Sequence, residues 1–247
     1  VPDFEAIGAL AQKYDLKIVE DAAHALPSRY QDSMIGSLQN TDVTCFSFYA
    51  TKTLSTGEVG MAVTDDKAYA ESIKTNRLHG ISRDAWDRYS AKGSWYYEVV
   101  DNGCKYNTTD MNASIGLVQL KKQERLRDKR AQIAHRYNQA FNNEPAIVTP
   151  FIKKDRTTSW HLYVIKVNNR DGVIEKLKAH GVGCSVHCIP VHKHPYYLKT
   201  YGYDDQDYPV ANTVYERSLS LPIYPDMTVQ EVDYVIENVL KAVNSDV

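Results

Sequence analysis

Three polar residues, Asp21, Ser47 and Lys52, end or follow short apolar runs in the first part of the chain. An amine can form a Schiff base with an aldehyde, a carboxylate can keep a ring nitrogen protonated, and a hydroxyl can bind a phosphate. Pyridoxal 5'-phosphate has an aldehyde, a pyridine nitrogen and a phosphate, and each needs such a partner. The residue types therefore point to chemistry with this cofactor.

Each of these residues also has a commoner explanation. A lysine after a strand is usually a solvated surface charge, and an aspartate at a strand end usually caps a helix or stabilises a turn. A strand-edge serine can simply be a surface hydroxyl. The order of the residues favours the cofactor, because an acid ends one strand and a Ser-x-x-x-x-Lys segment ends another, followed by a turn that contains glycine.

The surrounding pattern predicts an α/β domain. Short apolar runs alternate with amphipathic stretches, which is typical of a mostly parallel sheet with helices between its strands. Ligands of such sheets gather at the carboxyl ends of the strands, where Asp21, Ser47 and Lys52 fall. The predicted elements are strands at 16–20, 43–48 and 61–64, and a helix at 67–78.

A long helix is predicted to bridge this domain and a second one. Thr109 is a suitable N-cap for a helix that continues towards Phe141. Its apolar stripe consists of Ile115, Leu117, Leu120, Leu126, Ile133 and Tyr137. The segment before it, 81–108, lacks periodicity but is rich in aromatic residues, which indicates an ordered functional loop. These aromatic residues include Trp86, Tyr89, Trp95, Tyr96 and Tyr97.

Beyond Pro150 the pattern predicts a small α/β domain. Its elements are strands at 160–167 and 182–187 and helices at 171–180 and 229–243. We therefore divide the chain into a large domain, 1–125, and a small C-terminal domain, 126–247.

Composition narrows the class of protein. The chain has 247 residues and a formal net charge of -2, so it has no general attraction to nucleic acid or to an anionic membrane. The four cysteines form no CxxC pair, and no apolar run is long enough to cross a bilayer. These features favour a cytoplasmic protein with reduced thiols.

Several ordered segments resemble the sugar aminotransferases of the DegT/DnrJ/EryC1/StrS family. The resemblance covers nearly the whole chain, and its segments are 19–25 (VEDAAHA), 47–52 (SFYATK), 58–61 (EVGM), 78–80 (LHG), 103–110 (GCKYNTTD) and 220–225 (SLPIYP). It implies the type I fold of pyridoxal-phosphate-dependent transferases, with a three-layer α/β/α large domain and a small C-terminal α/β domain. Val59 replaces a glycine of many relatives, and Thr53 replaces an asparagine.

The resemblance also implies roles for the cofactor-site residues. Lys52 forms the Schiff base, Asp21 pairs with the pyridinium nitrogen, His24 lies against the ring, and Ser47 binds the phosphate. The alternative for His24 is a core histidine that the backbone satisfies. Further along, Lys105 and Asn107 belong to a segment that reaches the neighbouring subunit's cofactor phosphate in this family. Many relatives have asparagine at position 105, so either residue could make that contact.

The resemblance places His187, His79 and Tyr106 near the substrate. The cluster of His187, His192 and His194 could instead indicate a metal, but no carboxylate or cysteine completes a plausible ligand set, and we expect none.

The implied reaction is a two-stage transamination in a homodimer with shared active sites. Glutamate donates the amino group, and the acceptor is a UDP- or dTDP-linked 4-keto-6-deoxyhexose or 4-keto pentose. A related dehydratase would carry histidine in place of Lys52, which argues against that reaction. A non-catalytic or regulatory protein is the other alternative. Family members begin with a segment upstream of Val1. We therefore expect that this chain is either a fragment or one of two polypeptides that together complete the fold. Without the upstream segment we expect it to bind the cofactor poorly.

Overall fold

The computed structural model describes residues 1–82 and 96–245, which divide into two compact units. The first unit contains residues 1–124 and 153–159, and the second contains 125–152 and 160–247. Trp86, Tyr89 and Trp95 of the predicted aromatic loop lie outside the described residues.

The helices and strands follow in chain order. They are α1 (Phe4–Tyr14), β1 (Val19–Asp21), β2 (Arg29–Tyr30), β3 (Ser33–Met34), β4 (Val43–Ser47), β5 (Gly60–Val63), α2 (Lys67–Asn76), α3 (Asp110–Phe141), β6 (Ile147–Val148), β7 (Arg156–Thr157), β8 (Tyr163–Val167), α4 (Arg170–Ala179), α5 (Pro195–Tyr201), α6 (Pro209–Arg217), β9 (Ser218–Leu221) and α7 (Val229–Asn244).

The first unit has a three-stranded sheet in the order β1-β4-β5. Strands β1 and β4 are parallel, but β5 is antiparallel to β4, with Ser47 opposite Gly60. On one face, Phe4 of α1 packs in a cluster with Ala22 and Phe46. On the other, Val19 and Cys45 line a groove together with α2. Helices therefore lie on both faces, as the predicted three-layer arrangement requires.

A second small sheet, in the order β3-β2-β7, returns the segment 153–159 to the first unit. Arg29 pairs with Thr157, and Arg156 donates hydrogen bonds to the carbonyl oxygens of Val1 and Pro2 at 2.7 and 2.8 Å. The sequence-based division assigns this segment to the small domain, whereas its contacts place it with residues 1–124.

The second unit has its own core around the antiparallel sheet β6-β8-β9. Strand β8 alternates fully buried and half-buried residues, so Tyr163, Ile165 and Val167 face the core. Helix α7 begins with a capping box, in which Thr228 Oγ1 accepts from the Glu231 N–H and the Glu231 carboxylate accepts from the Thr228 N–H. Its buried face, including Val232 and Val239, completes this core.

One sequence-based prediction about these elements is wrong. Residues 182–187 form no strand; Ser185 makes only an isolated bridge with Ser220. The strand is β9 instead, whose four residues are all buried. The apolar stripe of α3 is buried only in its C-terminal half, at Ile133 and Tyr137, and Leu117 is 65% exposed.

Among residues 1–82 and 96–245, no helix has the length and apolar character to cross a membrane.

Candidate active site

Asp21 ends β1 beside β4. It pairs with Cys45, and the Ala22 N–H donates to the Cys45 carbonyl oxygen at 2.8 Å, which extends the pairing by one residue. One carboxylate oxygen of Asp21 accepts from the Ala23 N–H at 3.0 Å, so the aspartate also stabilises the turn that follows. The other oxygen is free for a ligand as far as the described residues show, and Asp21 is exposed.

Ser47 ends β4 on the same face as Asp21. Residues two apart on a strand point to the same side, and Cys45 is the partner of Asp21. Strand spacing and rise place the Cα atoms of Asp21 and Ser47 roughly 8 Å apart. A carboxylate and a hydroxyl at this separation can contact two sides of one substituted pyridine ring.

Lys52 lies in a closed loop directly after β4. Its N–H donates to the Tyr49 carbonyl oxygen at 2.9 Å, and the Thr56 N–H closes the loop on the Phe48 carbonyl oxygen at 2.9 Å. Leu54, only 3% exposed, anchors the loop from within, while Lys52 itself is half-buried. The loop therefore places Lys52 just beyond the carboxyl end of β4.

His24 lies in a turn, 22–28, that hydrogen bonds fix from two sides. Its carbonyl oxygen accepts from Ser159 Oγ at 2.6 Å, and Thr53 Oγ1 donates to the carbonyl oxygen of Leu26. The ring of His24 is exposed rather than buried, which argues against the core-histidine alternative. Its turn thus follows Asp21 and contacts the lysine loop.

The segment with Lys105, Tyr106 and Asn107 is held by a close backbone contact. Gly80 has a φ of 67°, and a Cβ atom on it would lie 1.9 Å from the Asp101 carbonyl oxygen. Only glycine fits there without moving the backbone. The Cys104 carbonyl oxygen accepts from the His79 N–H at 3.0 Å, which holds His79 beside this segment. The side chain of His79 is exposed.

Within this segment, Lys105 Nζ donates to Asn107 Oδ1 at 3.0 Å, and both side chains are exposed. Tyr106 is 78% exposed, and a hydrogen bond with Cys104 raises the pKa of its hydroxyl. The two residues that the resemblance could not separate therefore act as one polar pair.

His187 lies in the second unit. Its Nδ1 is 2.9 Å from Ser220 Oγ, and its ring is exposed. The nearby His192 is buried, with its Nε2 2.8 Å from Asn212 Oδ1. His187 and His192 therefore have different protein partners.

Glu20 precedes Asp21 and points to the opposite face of the sheet. Burial raises the pKa of this carboxyl, while a hydrogen bond from Thr44 Oγ1 at 3.1 Å opposes the shift. Glu20 and Thr44 are direct partners in the parallel register. The two adjacent acids therefore have separate surroundings.

The first unit thus brings a carboxylate, a hydroxyl and an amine to the carboxyl ends of adjacent strands. This donor set suits pyridoxal phosphate, and all three residues are accessible to a ligand, because Asp21 is exposed and Ser47 and Lys52 are half-buried. A sequence model of the DegT/DnrJ/EryC1/StrS aminotransferases matches residues 1–240. The chain belongs to this family.

The chain is also similar to individual proteins along nearly its whole length. The chain is 51% identical to an uncharacterized protein of Methanocaldococcus jannaschii over 99% of its length, and 49% identical to the spore coat polysaccharide biosynthesis protein SpsC of Bacillus subtilis over 96%. It spans 64% and 62% of those two proteins. A Streptococcus pneumoniae structure described as a sugar aminotransferase in its PMP form matches with a TM-score of 0.90 and 30% identity, over 100% of this chain and 67% of that one.

The fold is therefore that of the pyridoxal-phosphate-dependent sugar aminotransferases. The same streptococcal protein is also known in a PLP form, and pyridoxal 5'-phosphate is the cofactor of the DegT/DnrJ/EryC1/StrS family.

Sequence reasoning missed two residues that support this site. Thr53 joins the lysine loop to the turn with His24, and Ser159 joins that turn to the segment after β7. The position of Thr53 next to Lys52 was a signal for the first. Ser159 is more than a hundred residues from His24 in sequence, and no local pattern predicts its bond.

Proposed function

We propose that the complete protein is an aminotransferase that converts a nucleotide-linked keto sugar to an amino sugar. The observation that carries this proposal is the placement of Asp21, Ser47 and Lys52 at adjacent strand ends of a family fold. Because the chain spans about two thirds of its relatives, the activity, substrates and partners of the whole protein are part of the proposal.

When bound, pyridoxal phosphate supplies an aldehyde and a ring that accepts electrons from the substrate carbon. The Asp21 carboxylate holds a proton on the ring nitrogen, because a negative charge favours the protonated form. Ser47 would donate a hydrogen bond to the phosphate, and His24 would lie against the ring. Lys52 would hold the aldehyde carbon through Nζ, and its free amine would move a proton at the substrate carbon that bears nitrogen.

The proposed amino donor is glutamate, which leaves as 2-oxoglutarate while the sugar ketone becomes an amine. The proposed acceptor is a UDP- or dTDP-linked 4-keto-6-deoxyhexose or 4-keto pentose. His187, His79 and Tyr106 are the proposed substrate contacts, and their exposed side chains are accessible to a polar ligand. The name of SpsC concerns a coat polysaccharide, which agrees with a sugar substrate. A cytoplasmic location remains a prediction from the cysteine content.

We further propose a homodimer in which Lys105 and Asn107 serve the partner's cofactor phosphate. Exposed apolar side chains near these two residues support the dimer, because a partner subunit would cover them. Met111 is 76% exposed and Leu117 is 65% exposed. A Lys52→Arg variant mixed with an Asn107→Ala, Lys105→Ala variant should regain activity in mixed dimers. Sedimentation of a fully active monomer would contradict this proposal.

The reaction is tested with the complete protein, glutamate and each keto sugar. We expect a visible absorption band of the bound cofactor and equal amounts of 2-oxoglutarate and amino sugar. A Lys52→Arg variant is the control. A protein with no visible band and no product would favour the non-catalytic alternative.

A further inference from the structure

The hydroxyl next to Lys52 links two parts of the site. Thr53 Oγ1 donates a hydrogen bond to the carbonyl oxygen of Leu26, 27 residues earlier in the chain. Leu26 belongs to the turn 22–28, which follows Asp21 and contains His24. The bond thus joins the loop that holds the amine to the turn that follows the carboxylate.

The turn 22–28 is fixed independently of Thr53. The Ala22 N–H donates to Cys45 in β4 at 2.8 Å, and Ser159 Oγ donates to the His24 carbonyl oxygen at 2.6 Å. Ser28 is buried, and its Oγ accepts from the Ser159 N–H at 2.9 Å. These hydrogen bonds fix the position of the turn, so a hydrogen bond to the turn can position the lysine loop.

The lysine loop, residues 48–56, has internal hydrogen bonds. These fix the conformation of the loop but not its position relative to the turn 22–28. The bonds from Lys52 N–H to Tyr49 and from Thr56 N–H to Phe48 both lie within residues 48–56. Buried Leu54 fixes the loop's depth. Thr53 supplies a direct hydrogen bond from this loop to the turn.

We propose that Thr53 is a positioning residue, whose hydrogen bond to Leu26 sets the main chain of Lys52 relative to Asp21 and His24. This inference rests on the proposed function. The ring of the cofactor is rigid, so the distance between its nitrogen and its aldehyde carbon is fixed. The carboxylate and the amine can meet both atoms without strain only if their two segments keep one spacing.

The test compares the same substitution at two threonines of one loop. Thr53→Val removes the hydroxyl and leaves the Leu26 carbonyl without this donor. Thr56→Val is the matched control, because Thr56 is 7% exposed and its Oγ1 has no hydrogen-bond partner among the described residues. Thr53→Ser keeps the hydroxyl and should rescue the bond. All variants are made in the complete protein.

Three quantities are measured: the dissociation constant of pyridoxal phosphate, the pH midpoint of the visible band, and the melting temperature. We expect Thr53→Val to weaken cofactor binding about tenfold, since a carbonyl oxygen loses its partner in a half-buried site. The midpoint of the band should shift as well, because the amine no longer meets the cofactor in the same geometry. Thr53→Ser and Thr56→Val should match the parent within about twofold.

Two results would overturn the role of Thr53. One is a Thr53→Val variant that matches the parent in affinity and in pH midpoint. The other is equal weakening by Thr53→Val and Thr56→Val with equal losses of melting temperature, which would assign the effect to general packing. If the parent itself yields no borohydride-fixed cofactor on Lys52, the proposed function fails, and the role of Thr53 fails with it.

Discussion

Asp21 and Ser47 end two parallel strands and lie on one face of the sheet, with Ser47 two residues beyond the partner of Asp21. The offset separates the carboxylate from the hydroxyl along the strand direction as well as across it. One flat ligand can therefore contact both, with the Lys52 loop following directly after Ser47.

Replacement of Lys52 by arginine tests the covalent anchor. Arginine keeps a cation but is not a nucleophile at any accessible pH, because its pKa exceeds about 12. We expect Lys52→Arg to lose the visible band and the borohydride-fixed adduct, and turnover to fall about 10³-fold or more. Absorbance and peptide mapping check this, with Lys74→Arg on the exposed face of α2 as the control. An adduct mapped to another lysine would refute the assignment.

Replacement of Asp21 by asparagine tests the ring-nitrogen partner. The amide keeps the turn hydrogen bond from Ala23 N–H but cannot hold a proton on the ring nitrogen by charge. We expect Asp21→Asn to retain cofactor and fold while turnover falls about 10²-fold. Glu20→Gln is the control, since this neighbour points to the opposite face. Equal turnover of Asp21→Asn and the parent would exclude the role.

The raised pKa of the Glu20 carboxyl should make the stability of the protein depend on pH. Burial raises the pKa of this carboxyl above 4.5, so the folded state holds its proton more tightly than the unfolded state. The contribution of Glu20 is then complete below the unfolded-state pKa and is lost as pH rises through the folded-state pKa. We expect the free energy of unfolding of Glu20→Gln, relative to the parent, to increase over that interval and then to level off.

Urea unfolding at a series of pH values measures this difference, and Asp42→Asn provides a control of opposite sign. The Ile18 N–H bond holds the pKa of Asp42 below 3.8, so its contribution is present above that value and is lost as pH falls. The cost of Asp42→Asn should therefore shrink in acid. A flat pH profile for Glu20→Gln would show that its carboxyl is solvated.

The contact of Gly80 with residues 101–103 can be tested against a glycine of similar conformation. Gly181 has a φ of 72°, close to the 67° of Gly80, but a Cβ atom on it would meet nothing within 4 Å. Gly181→Ala should cost about 1–2 kcal/mol of stability from its backbone conformation alone. Gly80→Ala should cost roughly 4 kcal/mol or more, since its Cβ atom would overlap the Asp101 carbonyl. Thermal and urea unfolding compare the two, and equal costs would mean that the segment moves aside freely.

Local patterns predicted the local features well. Thr109, the predicted N-cap of the long helix, accepts from the Asn112 N–H at the start of α3. The strands that end near Asp21 and Ser47 are also confirmed. Caps and short apolar runs depend on neighbouring residues, which a sequence displays directly. The roles of the site residues remain predictions.

Features that depend on distant partners were missed. Strand β9 alternates serine and leucine, but its serines are buried because Ser220 contacts His187 and Ser218 Oγ bonds to Val214. Such polar residues hide a buried strand from a hydropathy pattern. The antiparallel direction of β5 was missed too, because alternation of strands and helices does not specify the direction of one edge strand.

The return of residues 153–159 to the first unit has a consequence for how this protein can be rearranged by recombination. The peptide chain passes between the units after Glu124, after Ile152 and after Ser159. A gene segment that ended after codon 124 would carry Asp21, His24 and Lys52 but would leave behind the strand that pairs with Arg29 and the serine that fixes His24. The unit with the cofactor site therefore cannot be exchanged between relatives as one continuous segment. Both of its pieces, residues 1–124 and 153–159, must be exchanged together.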